Sequence, residues 1–188
     1  MFDNGGFDQE TFDYEQMERE ERPFARRLAI WIGAKLVGPV LDVGAGTGVY
    51  VDELRNMGVK SLGIDICEPQ PRPEHVETMS VFDCEITAPV VMCIEVAEHI
   101  EAELAPALIE KIWSLTEPGG WVVWSAAQPG QGGVGHINCQ APEYWTGLAQ
   151  ARGFVRDLDQ EADLHQWITG GYHMGWFALN RQIWRRPV

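Results

Sequence analysis

The stretch VLDVGAGTG, from Val40 to Gly48, limits what this chain can fold into more than any other. Val40-Leu41 closes a short apolar run of the kind that forms a buried strand, and Asp42 follows it. Gly44, Gly46 and Gly48 then alternate through a turn, and Val49-Tyr50-Val51-Asp52-Glu53-Leu54 reads as the start of a helix. A strand, a glycine turn and a helix N-terminus in that order make a binding place for a nucleotide-like ligand. Without a Cβ the backbone bends sharply, and a ligand can lie against it.

The dinucleotide fingerprint is Gly-x-Gly-x-x-Gly. Here the spacing is Gly44-x-Gly46-x-Gly48, with Val49 where that fingerprint has its third glycine. Asp42 also opposes a pyrophosphate, because two anions would face each other. An acid at that place suits a ligand that carries an ammonium and a sulfonium. The nicotinamide oxidoreductases are disfavoured on both counts.

The stretch resembles motif I of the class I S-adenosylmethionine-dependent methyltransferases. Two further segments carry the likeness. CIEVAEHI, from Cys93 to Ile100, is similar to the fourth-strand segment of members with a Glu-Val-x-Glu-His pattern. LTEPGGWVVWSAA, from Leu115 to Ala127, is similar to their fifth-strand segment, where a Pro-Gly-Gly turn precedes an apolar strand. The likeness runs from about residue 38 to 127 and continues more weakly to Phe154 and the final strand. Pro89 departs from it, standing where many relatives have an aspartate, so the fourth strand is expected to begin irregularly.

The resemblance implies a Rossmann-like, doubly wound, mostly parallel seven-stranded sheet with an antiparallel last strand. It also implies a donor site. Asp42 would order contacts to the methionine part, and Gly44, Ala45, Gly46 and Gly48 would line it. Asp65, ending SLGID, can accept both hydrogen bonds of a ribose diol, with Ile66 beside it. Asp83, in VFDC, would lie near the adenine amine, and the backbone N–H of Cys84 would face the ring. Glu95 would also border the donor, and with His136 and His99 it is a candidate catalytic residue. Ordinary solvated loop acids are the competing reading of Asp65 and Asp83.

The chain of 188 residues is expected to form a single domain, with residues 1–13 loose or acting as a lid and 14–37 helical. Its 14 basic and 28 acidic residues leave a formal charge of −14, which opposes nonspecific binding to nucleic acid or anionic lipid. No run approaches the roughly 20 apolar residues of a membrane helix. The start, MFDNGGFDQE, is acidic where a signal peptide would be basic. Cys67, Cys84, Cys93 and Cys139 lie far apart without a Cys-x-x-Cys, which fits reduced thiols and a cytoplasmic location.

Strands are expected at 39–43, 61–65, 76–81, 90–94, 121–125, near Phe154-Val155, and at 176–184. Helices are expected after the glycine turn, at 102–115 and at 142–151, with Glu117 to Gly120 as a turn. Pro69, Pro71 and Pro73 argue for a short or absent crossover helix. In such sheets ligands sit at the carboxyl ends of the strands, which gathers Gly44 to Gly48, Asp65, Asp83 and Glu95 at one edge.

Methyl transfer needs an aligned acceptor and, for a hydroxyl, a base. Glu95 and His99 are four apart and share a face if a helix begins at once. The loop from Gln128 to Trp145 carries Gln131, His136, Asn138, Gln140 and Tyr144, polar groups suited to an acceptor pocket. His136 is the leading general base, since imidazole titrates near neutrality. Gln131, Asn138 and Tyr144 are candidate acceptor contacts. His99 is assigned an orienting or stabilising role. His165 and His173 read as structural. Glu95, Glu98, His99 and His136 also resemble the ligand set of metal-dependent methyltransferases, where a divalent ion would lower the acceptor's pKa. Phe2, Phe7, Phe12 and Tyr14 can close over the site, and Trp167, Tyr172 and Trp176 can form an apolar wall.

The reading is an S-adenosylmethionine-dependent methyltransferase acting on a small-molecule hydroxyl or amine. A donor-binding module without transfer activity is the alternative. No Asn-Pro-Pro-Tyr, Asp-Pro-Pro-Tyr or Pro-Cys of the DNA methyltransferases is present.

Overall fold

The computed structural model describes residues 14–67, 73–169 and 175–188. The helix α1 (Tyr14–Lys35) buries Phe24, Leu28 and Ile32, one stripe at helical spacing. After it come β1 (Val40–Val43), α2 (Val49–Asn56), β2 (Ser61–Asp65) and β3 (Val76–Thr78). The second half holds β4 (Ala88–Ile94), α3 (Ala105–Leu115), β5 (Thr116–Ser125), α4 (Pro142–Arg152), β6 (Val155–Arg156), α5 (Leu158–Thr169), α6 (Gly175–Asn180) and β7 (Gln182–Arg185).

One seven-stranded sheet runs β3-β2-β1-β4-β5-β7-β6. Pairs from β3 through β5 are parallel, and β7 is antiparallel to both β5 and β6. The expected doubly wound architecture, with its antiparallel last strand, is the one formed. Alternate residues of β4 feed the two faces. Val91 and Cys93 pack with α3 and α4, around Trp124, Trp145 and Trp184. Val90, Met92 and Ile94 pack with α1, α2, α5 and α6. Trp124 stacks on Trp184 at 4.7 Å between ring centroids and leans on Trp145 at 5.3 Å. This rigid middle fixes the carboxyl ends of β4 and β5, where the site lies.

Several elements differ from the sequence expectation. The third strand stops at Thr78 and a 3-10 turn, Val81–Asp83, follows. The expected turn at Glu117 to Gly120 is a bulge inside β5. It lies opposite Pro89, where the β4–β5 register shifts between Ala88 and Val90. The expected last strand over 176–184 is instead α6 followed by a four-residue β7. Burial shows why: Phe177 and Asn180, three apart, face inward, while Leu179 is 73% exposed. That is a helical period, not an alternation. α5, which was not anticipated, buries Glu161, Leu164 and Ile168 at the same spacing.

The tail residues Phe2, Phe7 and Phe12, the side chain of Tyr14, most of the proline run, Tyr172 and His173 lie outside the described residues. Among the described residues no helix is long and apolar enough to cross a membrane. All four cysteines are free thiols.

Candidate active site

The turn between β1 and α2 is held open by its glycines. Gly44, Gly46 and Gly48 have φ of 75°, 50° and 77°, a region that favours glycine. A Cβ on Gly44 would lie 2.3 Å from Val96 Cγ2, whereas a Cβ on Gly46 would meet nothing within 4 Å. The first glycine is therefore needed for packing, and the second borders open space. The amides of Gly44 and Ala45 both donate to the Ile64 carbonyl, at 2.8 and 3.0 Å, pinning the turn to β2.

Asp65, at the end of β2, accepts from the Gly46 amide at 2.8 Å on one oxygen and from the Cys67 amide at 2.8 Å on the other. Burial raises its pKa, while those amides and that of Ile66 pull it down. Each oxygen still has a lone pair for a diol. Asp42 is 2% exposed, and its Oδ2 has no hydrogen-bond partner. Burial, then Asp65 and Glu21, push its carboxyl up to about 8. Ile66 is 44% exposed at the rim. Asp83 is exposed, and Cys84 is buried with its N–H on the Val81 carbonyl at 3.3 Å.

Glu95 follows directly on the carboxyl end of β4. It adopts φ 52°, an uncommon conformation for a residue with a Cβ. Only one 3-10 turn, Ala97–His99, follows, so Glu95 and His99 do not share a helix face. Both Glu95 oxygens are taken: Gln131 Nε2 donates to one at 2.9 Å and Asn180 Nδ2 to the other at 3.1 Å. Asn180 Nδ2 also donates to Gln131 Oε1 at 2.8 Å, and Asn180 Oδ1 accepts from Gln128 at 2.9 Å. Gln131, expected to meet the acceptor, is thus a strut between β4, its own loop and α6.

Beside this network, Glu98 is fully buried and neither carboxylate oxygen has a partner at hydrogen-bond geometry. Burial, then the Glu95 charge, push it up to about 8. Its backbone carbonyl accepts from the amides of Ile137 and Asn138, both at 2.9 Å, and so ties the loop to the 3-10 turn after β4. His136 Nε2 lies 3.9 Å from Glu98 Oε1, and its Nδ1 is 3.3 Å from the Gln131 carbonyl. His99 Nδ1 is 3.0 Å from the Gly135 carbonyl, and its ring meets that of His136 edge-on at 5.0 Å. Burial lowers the His99 pKa, with His136 acting in the same direction. Ligand atoms of Glu98, His99 and His136 lie within 4.8 Å of one another. Asn138 is 3% exposed and accepts from Gln140 through Oδ1 at 2.9 Å, while its Nδ2 is unpartnered. Tyr144 packs edge-on against Trp145 at 5.0 Å.

The structure adds residues that sequence reasoning passed over. Asn180 is one. Glu21 of α1 and Tyr50 of α2 are the others: the Glu21 charge helps to raise the Asp42 carboxyl, and Asp42 in turn helps to raise the buried Tyr50 hydroxyl. Glu21 had a signal, because the buried stripe Phe24, Leu28, Ile32, taken one turn back, falls on it. Trp167, expected in an apolar wall, instead lies on the flank of α1. Its Nε1 donates to the Arg27 carbonyl at 2.9 Å and its ring lies under the Arg27 guanidinium. Trp176 packs on Phe24 at 6.2 Å.

Residues 15–168 match the model of the methyltransferase domain family. The chain belongs to that S-adenosylmethionine-dependent methyltransferase family. A ubiquinone biosynthesis O-methyltransferase of Leptothrix cholodnii is 29% identical over 102 residues, 46% of this chain and 43% of that protein. The match therefore spans less than half of that relative. Among solved structures, a SAM-dependent methyltransferase from Archaeoglobus fulgidus aligns with TM-score 0.62 at 16% identity, over 92% of this chain and 96% of that one. The 1,6-didemethyltoxoflavin-N1-methyltransferase of Burkholderia thailandensis, with its acceptor and S-adenosylhomocysteine bound, aligns with TM-score 0.63 at 17% identity, over 94% and 82%. At such identities these methyltransferases share the fold of this one.

Proposed function

We propose that this methyltransferase transfers the methyl group of S-adenosylmethionine to a hydroxyl or amine of a small molecule, with His136 as general base. The observation that carries the reading is the free, buried Asp42 oxygen beside a glycine turn that is open at Gly46. A buried carboxyl with no partner is costly unless a ligand supplies a donor or a charge. The residues present fit the donor. Asp42 would take its ammonium, Gly44 to Gly48 and Ala45 its flank, and Asp65 its ribose. Ile66, Asp83 and Cys84 would border its adenine.

When bound, S-adenosylmethionine supplies an electrophilic methyl group on a sulfonium. The chain's own residues must hold the acceptor and take its proton. A proton on His136 Nδ1 is satisfied by the Gln131 carbonyl, which leaves the Nε2 lone pair available. Its side chain is 13% exposed, so an acceptor can reach it. The imidazolium formed on proton removal would lie 3.9 Å from Glu98, which stabilises it where that carboxyl has lost its own proton. Asn138 and Tyr144 are assigned to the acceptor, and Gln131 to holding Glu95 and the loop. The net charge of −14 supports a small acceptor over nucleic acid.

The test is His136→Ala. S-adenosylhomocysteine should bind as before while turnover falls by roughly 10² to 10⁴. Turnover within a few-fold of the unmodified protein would remove His136 as base.

A second reading is favoured by the orphaned oxygens of Glu98. Glu98, His99 and His136 are close enough to hold one divalent ion, which would acidify an acceptor hydroxyl. Glu95, saturated by two amides, does not fit the set. This reading expects activity to disappear on EDTA treatment and to return with Mg²⁺ or Mn²⁺. Full activity after EDTA would sink it.

A further inference from the structure

The loop that carries His136 has Gly132 and Gly133 side by side, yet only one of them borders open space. A Cβ on Gly132 would meet nothing within 4 Å. A Cβ on Gly133 would stand 2.2 Å from His136 Nε2, 2.3 Å from Cε1 and 2.6 Å from Cδ2, inside the volume of the imidazole itself. Neither glycine has a positive φ, so the backbone at both positions accepts an L side chain.

The near equality of the three distances tells which part of the ring rests on Gly133. A point on the in-plane lone pair of Nε2 would be much closer to that nitrogen than to its two carbons. Gly133 therefore backs the face of the ring and leaves the lone pair clear. The remaining neighbours hold the ring loosely. The Gln131 carbonyl and Cys139 Sγ lie 3.3 and 3.8 Å from Nδ1, and Glu98 Oε1 lies 3.9 Å from Nε2. The His99 ring stands at 76° to it, 5.0 Å between centroids. None of these polar contacts is as short as an ordinary N–H···O bond, so the shape of the seat does much of the orienting.

We propose that Gly133 is a positioning residue for methyl transfer: its missing Cβ is the seat that aims the His136 imidazole at the acceptor. The inference rests on the reading of His136 as general base. A methyl group at position 133 meets the far end of a rotatable side chain, so the ring swings aside and the fold is kept. A misplacement of about 1 Å is enough to cost roughly 10²-fold in rate.

The test compares Gly133→Ala with Gly132→Ala in the full chain. The ring signals of His136, identified by their loss in His136→Ala, are followed by proton–carbon NMR. Its carbethoxylation by diethyl pyrocarbonate is followed by peptide mass spectrometry. Gly133→Ala should shift those signals and speed that reaction several-fold, with S-adenosylhomocysteine affinity unchanged. Its kcat should fall roughly 10²-fold while KM stays within a few-fold. Gly132→Ala should match the unmodified protein in every readout. Gly133→Ala combined with His136→Ala should melt where His136→Ala does, because removal of the ring makes room for the methyl group. An unmoved His136 in Gly133→Ala, equal effects of the two alanines, or a double variant less stable than His136→Ala would overturn the inference. So would a displaced ring with kcat unchanged while His136→Ala is impaired. Normal turnover of His136→Ala would instead remove the base reading, and the ring signals and reactivity would still decide whether Gly133 seats the imidazole.

Discussion

At the scale of single residues, the three motif glycines do different work although the sequence writes them alike. Gly44 has φ 75° and no room for a methyl group, since Val96 Cγ2 would lie at 2.3 Å. Gly46 has φ 50° and open space where its Cβ would point. Alanine at Gly44 must therefore displace Val96 and strain the backbone, a cost of about 2–4 kcal/mol. Alanine at Gly46 bears only the backbone cost, about 1–2 kcal/mol, but its methyl projects into the open space where the proposed donor would lie. Denaturant unfolding should rank Gly44→Ala as the less stable variant. Calorimetry with S-adenosylhomocysteine should show Gly46→Ala losing more affinity than its stability loss accounts for. The opposite ranking would mean that the turn faces the ligand with the other glycine.

At the scale of elements, the network around Glu95 and Gln131 depends on α6, a helix whose sequence hides it. Asn180 is 2% exposed and links Glu95, Gln131 and Gln128. Removing its amide takes one donor from the part-buried Glu95 and Gln131 and the acceptor from Gln128, so Asn180→Ala should cost about 1–3 kcal/mol in urea unfolding. It should also release the loop around His136, seen as faster proteolysis between residues 128 and 141. Unchanged stability would show that water replaces the amide. The motif turn was legible because positive φ leaves glycines in the sequence at fixed spacing. The strands β1, β2, β4 and β5 were legible because burial on both faces writes apolar runs. α6 was not, since Trp176 to Trp184 is apolar enough to pass for a strand, and only the inward Asn180 marks its period. The helix expected after Glu95 failed because the chain turns through a positive φ at a residue with a side chain. The meeting of His99, Glu98 and His136 was suggested by family likeness, but its geometry comes from the two amides of the loop that dock on the Glu98 carbonyl.

At the scale of the whole molecule, the charge of −14 is distributed so that part of it converges on one edge of the sheet. Asp42 and Glu98 are held at about 8 and Glu21 at about 7, against ordinary values of 3.8 for aspartate and 4.5 for glutamate. Each raised carboxyl keeps its proton in the folded chain at pH values where the unfolded chain has lost it. Between about pH 4 and 8 the native state thus binds more protons, and unfolding free energy falls as pH rises, by at most about 1.4 kcal/mol per pH unit for each group. Below pH 4 both states are protonated, and above 8 both are charged, so the effect lies within that window. Asp163, lowered by Trp31 and Lys35, acts in the other direction but lies at the surface, 42% exposed, where solvent screens it. The ligand-free protein should melt at a higher temperature at pH 5.5 than at pH 8. A cation that enters the crevice favours the charged carboxyls, so S-adenosylhomocysteine should raise the melting temperature more at pH 8 than at pH 5.5. Differential scanning calorimetry at the two pH values, with and without that compound, reads both effects. A ligand-free protein more stable at pH 8 would mean that these acids find a counter-charge within the chain itself, and the crevice would then have no unmet need for a cation.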